Sequence, residues 1–135
     1  MVTERRVFDA KQEEVENMMN FFSDMFSGFD KKTEFNLMLV CEEVLVNIVS
    51  YAYPNRDGQL TVVWEHDAHD RHVRIVFEDS GMMFNPLTAE DPDLDVPLED
   101  RKIGGLGIML VKKLMDTAEY AYKDSKNILA VTKKY

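Results

Sequence analysis

From Lys31 to Ala52 the chain runs without a proline or a glycine, and from Leu37 to Val49 only Glu42, Glu43 and Asn47 interrupt the apolar side chains. The segment reads as one long helix, capped by Asp30 or Thr33 and ended by Tyr53-Pro54. A helix that is apolar almost all round needs cover on more than one side. A fold with a helical layer packed on something else is therefore required, and the rest of the chain supplies strands to pack against.

The polar residues of that helix call for a reason. At 100° per residue, Asn36, Glu43, Asn47 and Ser50 fall within about 60° of one another. Glu43 and Asn47 are one turn apart and project side by side. They form either a solvated stripe, with Asn47 capping a neighbouring loop, or a functional pair. In the second case Glu43 accepts a proton and Asn47 offers a hard oxygen ligand to Mg2+.

Around this helix the elements are short. Arg5 to Phe8 read as a strand, and Asp9 with Gln12 has the form of a capping box. Val15, Met18, Met19, Phe22, Met25 and Phe26 then recur at helical spacing, with Gly28 as the stop. After the turn Asn55 to Gly58, Leu60, Val62 and Trp64 alternate with their neighbours, and Val73, Ile75 and Phe77 do so again. The polar link His66 to Arg71 makes these two strands an antiparallel hairpin. Ser80 to Ile103 shows no regular element; it holds Pro86, Pro92 and Pro97 and six acids between Glu90 and Asp100. Gly104 opens a helix to about Asp116, and strands Ala118 to Lys123 and Ile128 to Lys133 meet at a turn over Asp124 to Asn127. The order β-α-α-β-β-loop-α-β-β predicts an α+β fold: a two-layer α/β sandwich, its sheet mostly antiparallel but mixed, with three helices on one face.

The chain has 135 residues and a net charge of -9, which sets one domain over 1–135 and excludes the basic face a nucleic-acid binder needs. A single cysteine, Cys41, excludes a disulfide framework and points to a reducing compartment. No apolar run approaches a membrane span, and the start lacks a signal peptide's apolar core. The expectation is a cytoplasmic domain. His66, His69 and His72 lie in a polar turn and read as solvated, Cys41 as a buried small hydrophobe, and Trp64 as a packing residue.

Two further breaks in the pattern carry chemistry. Strand alternation puts Asp79 on the core face with Val73, Ile75 and Phe77. It either caps the following turn or accepts a hydrogen bond from the exocyclic amine of a base. Gly81, Gly104, Gly105 and Gly107 bracket the long loop. The last three stand at a helix N-terminus, where free N–H groups favour an anion, although close packing also uses glycine this way.

Together these residues resemble the Bergerat-fold (GHKL) ATPases, and most closely their anti-sigma factor serine/threonine-protein kinase branch. Glu43-Val44-Leu45-Val46-Asn47 matches the family's Glu-x-x-x-Asn helix, and Asp79-Ser80-Gly81-Met82-Met83 its Asp-x-Gly-x-Gly strand end. Gly105-Leu106-Gly107, preceded by Gly104, matches its glycine-rich helix start. The resemblance implies that Glu43 is the general base, Asn47 the Mg2+ ligand and Asp79 the adenine-recognising carboxylate, with Gly81 admitting the base. It makes Gly104, Gly105, Leu106 and Gly107 the phosphate cradle, residues 80–103 an ATP lid, and Arg101 a lid contact with phosphate; Lys102 and Lys112 are nearby cations. Met83 departs from the pattern, replacing a glycine beside the nucleotide. The implied cofactors are ATP and Mg2+; the implied partners are a STAS-domain anti-sigma factor antagonist as substrate, a sigma factor, and a second copy of the chain in a homodimer. Two alternatives stay open: a non-catalytic partner-binding module of the same fold, and a stand-alone histidine kinase-type ATPase domain.

Overall fold

The structure, a computed structural model, describes residues 1–88 and 105–135. Its elements are β1 (Val2–Asp9), α1 (Val15–Phe26), α2 (Lys31–Tyr51), β2 (Gln59–Asp67), β3 (His72–Asp79), α3 (Gly105–Leu114), β4 (Thr117–Lys123) and β5 (Lys126–Lys134). The strands form one sheet in the order β1-β2-β3-β5-β4. Among the described residues no helix is long and apolar enough to cross a membrane.

The sheet, expected to be mostly antiparallel but mixed, is antiparallel at every ladder. Two of the ladders, β2–β3 and β4–β5, are hairpins, which are antiparallel by construction. In the others the chain leaves one strand and re-enters its neighbour at the same end. Asp9, the last residue of β1, pairs with Gln59, the first of β2. Asp79, the last of β3, pairs with Asn127 near the start of β5.

Register decides what faces the helices. Val62 opposes Phe77 and Trp64 opposes Ile75, while Phe77 and Ile75 oppose Leu129 and Val131 on their other side. All six are buried. From α1, Met18, Phe22 and Phe26 fill the layer above them at i, i+4 and i+8, each fully buried. Phe22 stacks on Phe26 with ring centroids 5.7 Å apart, and Phe26 meets Trp64 at 5.2 Å. Burying each such ring contributes roughly 1.5–3 kcal/mol. The second helix contributes Leu37, Val40, Cys41, Val44 and Leu45 to the same core. Cys41 is the buried hydrophobe expected, and burial pushes its thiol pKa well up.

Local signals acted where tertiary pairing did not compete. Asp30 caps α2: its Oδ1 accepts the Thr33 N–H at 2.9 Å and its Oδ2 the Thr33 hydroxyl at 2.8 Å. The capping box at Asp9 does not form. Asp9 is held in β1, and Lys11 precedes a single 3-10 turn over Gln12–Glu14 with no side-chain cap. The β4–β5 turn is tighter than its composition suggests. Asp124 and Ser125 have φ of 53° and 62°, a two-residue connection with both residues left-handed, so Asn127 already lies in β5.

Candidate functional site

Between the C-terminal half of α2 and the ends of β3, β4 and β5 lies a cavity of about 300 Å3. Val44, Asn47, Ile48 and Tyr51 line it from the helix, Phe77, Asp79, Asn127 and Leu129 from the sheet, and Met82, Met83 and Phe84 from the segment after β3. Its walls are mostly apolar with a few convergent polar groups, the usual character of a small-molecule site.

The most buried of those polar groups are Asp79, 8% exposed, and Asn127, 7% exposed. Asp79 Oδ1 accepts the Gly81 N–H at 2.9 Å and the Asn127 Nδ2 at 2.9 Å. Its Oδ2 takes no hydrogen bond from the described residues. Among those residues no fully buried side-chain oxygen or nitrogen lacks a partner, so Oδ2 keeps some exposure, and Asp79 lines the cavity. The turn-capping reading of Asp79 holds, through Oδ1 and the Gly81 N–H.

The loop carrying Gly81 is pressed against the end of α2. The Met82 N–H donates to the Ala52 carbonyl at 2.9 Å, and a β-carbon on Gly81 would lie 2.3 Å from that same oxygen. The structural demand for glycine at 81 is thus this approach to Ala52. Tyr53 ties the same region together. Its hydroxyl accepts the Ser80 N–H at 2.7 Å and donates to the Gln59 carbonyl at 2.5 Å, and the Arg56 guanidinium sits 5.2 Å from its ring centroid. Burial raises the Tyr53 pKa. The helix end bearing Asn47 and the strand end bearing Asp79 are therefore clamped to one another.

The sequence profile of the histidine kinase-like ATPase domain matches residues 8–133. The chain belongs to that family. Among its relatives, the serine/threonine-protein kinase BtrW of Bordetella bronchiseptica is 30% identical over 102 residues, covering 75% of this chain and 70% of that protein. The serine-protein kinase RsbW of Bacillus mycoides is 26% identical over 106 residues, covering 76% and 65%. The matched part thus amounts to about two thirds of these relatives' length. Among solved structures, the RsbU and RsbW domains of Rv1364c from Mycobacterium tuberculosis superpose with a TM-score of 0.70 at 14% identity, covering 99% of this chain and 32% of that one. A histidine kinase domain from Erythrobacter litoralis gives 0.57, also at 14% identity, covering 90% and 59%. These two share the fold.

Within this ATPase domain the expected site residues do not all converge. Asn47 lines the cavity; Glu43, one turn earlier on α2 and half-buried, stands outside its lining. Burial, and secondarily the charge of Glu42, raise the Glu43 pKa above the ordinary glutamate value. Met83 is at the mouth, 66% exposed, flanked by the exposed Met82 and Phe84. Gly105, Leu106 and Gly107 make the first turn of α3, whose backbone N–H groups have no partner within the helix. Arg101, Lys102 and Gly104 lie outside the described residues, as does the expected lid beyond residue 88. In its described part Pro86–Thr88 forms a 3-10 turn, where no regular element was expected.

Asn127 and Tyr120 are the site residues that sequence reasoning missed. Asn127 looked like part of a turn, and Tyr120 was read only as part of the strand Ala118 to Lys123. The usable signal was register: two residues of β5 beyond a two-residue turn, Asn127 falls opposite Asp79. Of the three histidines, His72 comes together with Asp67 and Asp70, one potential ligand atom of each lying within 4.8 Å of the others. His66 Nε2 bonds the Tyr135 hydroxyl, and Asp67 Oδ1 caps the turn by accepting the His69 and Asp70 N–H groups.

Proposed function

We propose that this chain is an ATP-dependent serine/threonine kinase that phosphorylates a STAS-type anti-sigma factor antagonist and, between turnovers, sequesters a sigma factor. The observation that carries the reading is Asp79: one oxygen is tied into the fold, the other has no partner among the described residues, and the residue lines an apolar cavity shared with Asn47. An amino-bearing base fits that arrangement, because its apolar ring suits the walls and its amine supplies the donor that Oδ2 needs. The side-chain oxygen of Asn47 is a hard donor suited to Mg2+. The first turn of α3, with its glycines, suits phosphate.

Bound Mg-ATP supplies the transferable phosphoryl group and the charge that neutralises it. The chain's own residues do the rest. Asp79 and the cavity walls orient the base, and the Gly105–Gly107 turn holds phosphate oxygens. Glu43 takes the proton from a serine or threonine hydroxyl of the docked antagonist. The freed oxygen bonds to the γ-phosphorus as the bond from that phosphorus to the β–γ bridging oxygen breaks, releasing ADP. The raised Glu43 pKa makes its carboxylate a stronger base than an exposed glutamate. Kinship with serine-protein kinases supports this reaction class, and two copies of the chain are expected to act as a homodimer in the cytoplasm.

The test uses [γ-32P]ATP, Mg2+ and a STAS-domain antagonist protein. Wild type labels the antagonist on serine or threonine, and Glu43→Ala does not. No labelling by wild type, or equal labelling by both, overturns the proposal. Thermal unfolding gives a check on binding alone, since a ligand at 100 times its Kd adds about 2.7 kcal/mol.

A further inference from the structure

We propose that Asn127 is the positioning residue that sets base preference in this cavity, by fixing Asp79 so that Oδ2 is presented to an exocyclic amino group. The inference rests on reading the cavity as a nucleotide site, and names a determinant of what that site accepts.

Asn127 is a four-way junction. Its Nδ2 donates to Asp79 Oδ1 at 2.9 Å and to the Met82 carbonyl at 2.8 Å. Its Oδ1 accepts the Phe84 N–H at 3.0 Å and the Tyr120 hydroxyl at 2.5 Å. A side-chain amide offers two N–H donors and two lone pairs, so its capacity is filled. The orientation is also determined. Turned over, the amide would set its oxygen against the Asp79 carboxylate and the Met82 carbonyl, and its NH2 against the Phe84 N–H. A saturated, singly oriented amide has nothing left for a ligand. It acts through the groups it holds.

Those groups are the recognition surface. Asp79 Oδ1 is fixed from two sides, by Asn127 and by Gly81, which restricts rotation of the carboxylate and leaves Oδ2 without a partner among the described residues, on a side chain that lines the cavity. Met82 and Phe84 are anchored by the same amide at their backbones, so the apolar rim and the carboxylate keep one spacing. A base presenting an amine to Oδ2 makes a hydrogen bond. A base presenting a carbonyl there sets two acceptors against each other, and neither is paired. Loss of Asn127 frees Asp79 to turn, and the distinction between amine and carbonyl fades.

The experiment measures Kd for ATP and ITP, which differ at this amine, in wild type, Asn127→Leu, Tyr120→Phe and Asp79→Asn. Wild type prefers ATP. Asn127→Leu, with the same branched skeleton but unable to bond, lowers the ITP-to-ATP Kd ratio by about tenfold or more, chiefly through weaker ATP binding. Tyr120→Phe removes only the hydroxyl that orients the amide, so it lowers the ratio in the same direction and by less; it reads the effect even if Leu at 127 does not fold. Asp79→Asn abolishes the preference. An unchanged ratio in Asn127→Leu or Tyr120→Phe, or equal weakening of both nucleotides, overturns the role of Asn127 while leaving the nucleotide site intact. Failure of folded wild type to bind either nucleotide overturns both.

Discussion

Gly81 sits so close to Ala52 that a β-carbon on it would lie 2.3 Å from the Ala52 carbonyl oxygen. That oxygen also accepts the Met82 N–H, so it has no freedom to withdraw. Gly81→Ala is expected to cost about 1–3 kcal/mol of stability and to displace Asp79's neighbours. Ala52→Gly does not rescue it, because the nearest atom is backbone. Urea unfolding of the single and double variants checks this; restored stability in the double variant contradicts the geometry.

Glu43 links exposure to pH. Its pKa is raised by burial first and by Glu42 second, and in the proposed reaction it acts deprotonated. Phosphoryl transfer should therefore fail, as pH falls, earlier than it would with an unperturbed glutamate. Glu42→Gln moves that acidic limb to lower pH but leaves the contribution of burial. A rate profile with the same limb in both proteins argues against Glu43 as the base. Glu43→Gln should slow transfer by about 10²–10⁴-fold while preserving the thermal shift given by nucleotide.

Asp30 makes the entry to α2 sensitive to acid. Thr33 donates to both of its carboxylate oxygens and holds the folded-state pKa below the ordinary aspartate value. A depressed carboxylate stabilises the fold above its unfolded-state pKa, and that contribution is lost as pH falls through the folded-state value. The melting temperature of Asp30→Ala is expected below that of wild type at neutral pH, with the gap closing in acid. A gap independent of pH assigns the effect to something other than this carboxylate.

Met83 stands where the Asp-x-Gly-x-Gly pattern has its second glycine, yet it is two-thirds exposed at the cavity mouth. Met83→Gly should leave stability nearly unchanged and alter ATP affinity less than Asp79→Asn does. Calorimetric titration decides it; a larger gain in affinity from Met83→Gly would mean that the methionine obstructs the site.

Phe22 is fully buried between α1 and the sheet, touching Phe26 and Phe77. Phe22→Ala should cost about 3–5 kcal/mol by thermal or urea unfolding. A cost under about 1 kcal/mol would show that the two layers are not held at this point.

What the sequence made legible follows physical periodicity. The apolar run of α2 and the alternation around Val62 and Ile75 report burial directly, so both elements and the inward aim of Asp79 were readable. Asn127 was not, because Asp-Ser-Lys-Asn has loop composition whether the turn takes two residues or four. Only the left-handed φ values at Asp124 and Ser125 shift Asn127 into the strand. The Asp9 signal misled for the opposite reason: a local cap competed with a sheet ladder to Gln59, and the ladder won. The start of β1 was missed because an edge strand, exposed along nearly all its length, has little need of apolar side chains.

The clamp around Tyr53 bears on how such a site meets its ligand. β3 is the middle strand of five, bonded on both sides, and its last residue is Asp79. Amides in such a strand open only in near-global unfolding, so this wall should rank among the slowest to exchange hydrogen for deuterium. A base bound there, as proposed, would require little ordering of this wall, and little entropy would be lost on that side of the encounter.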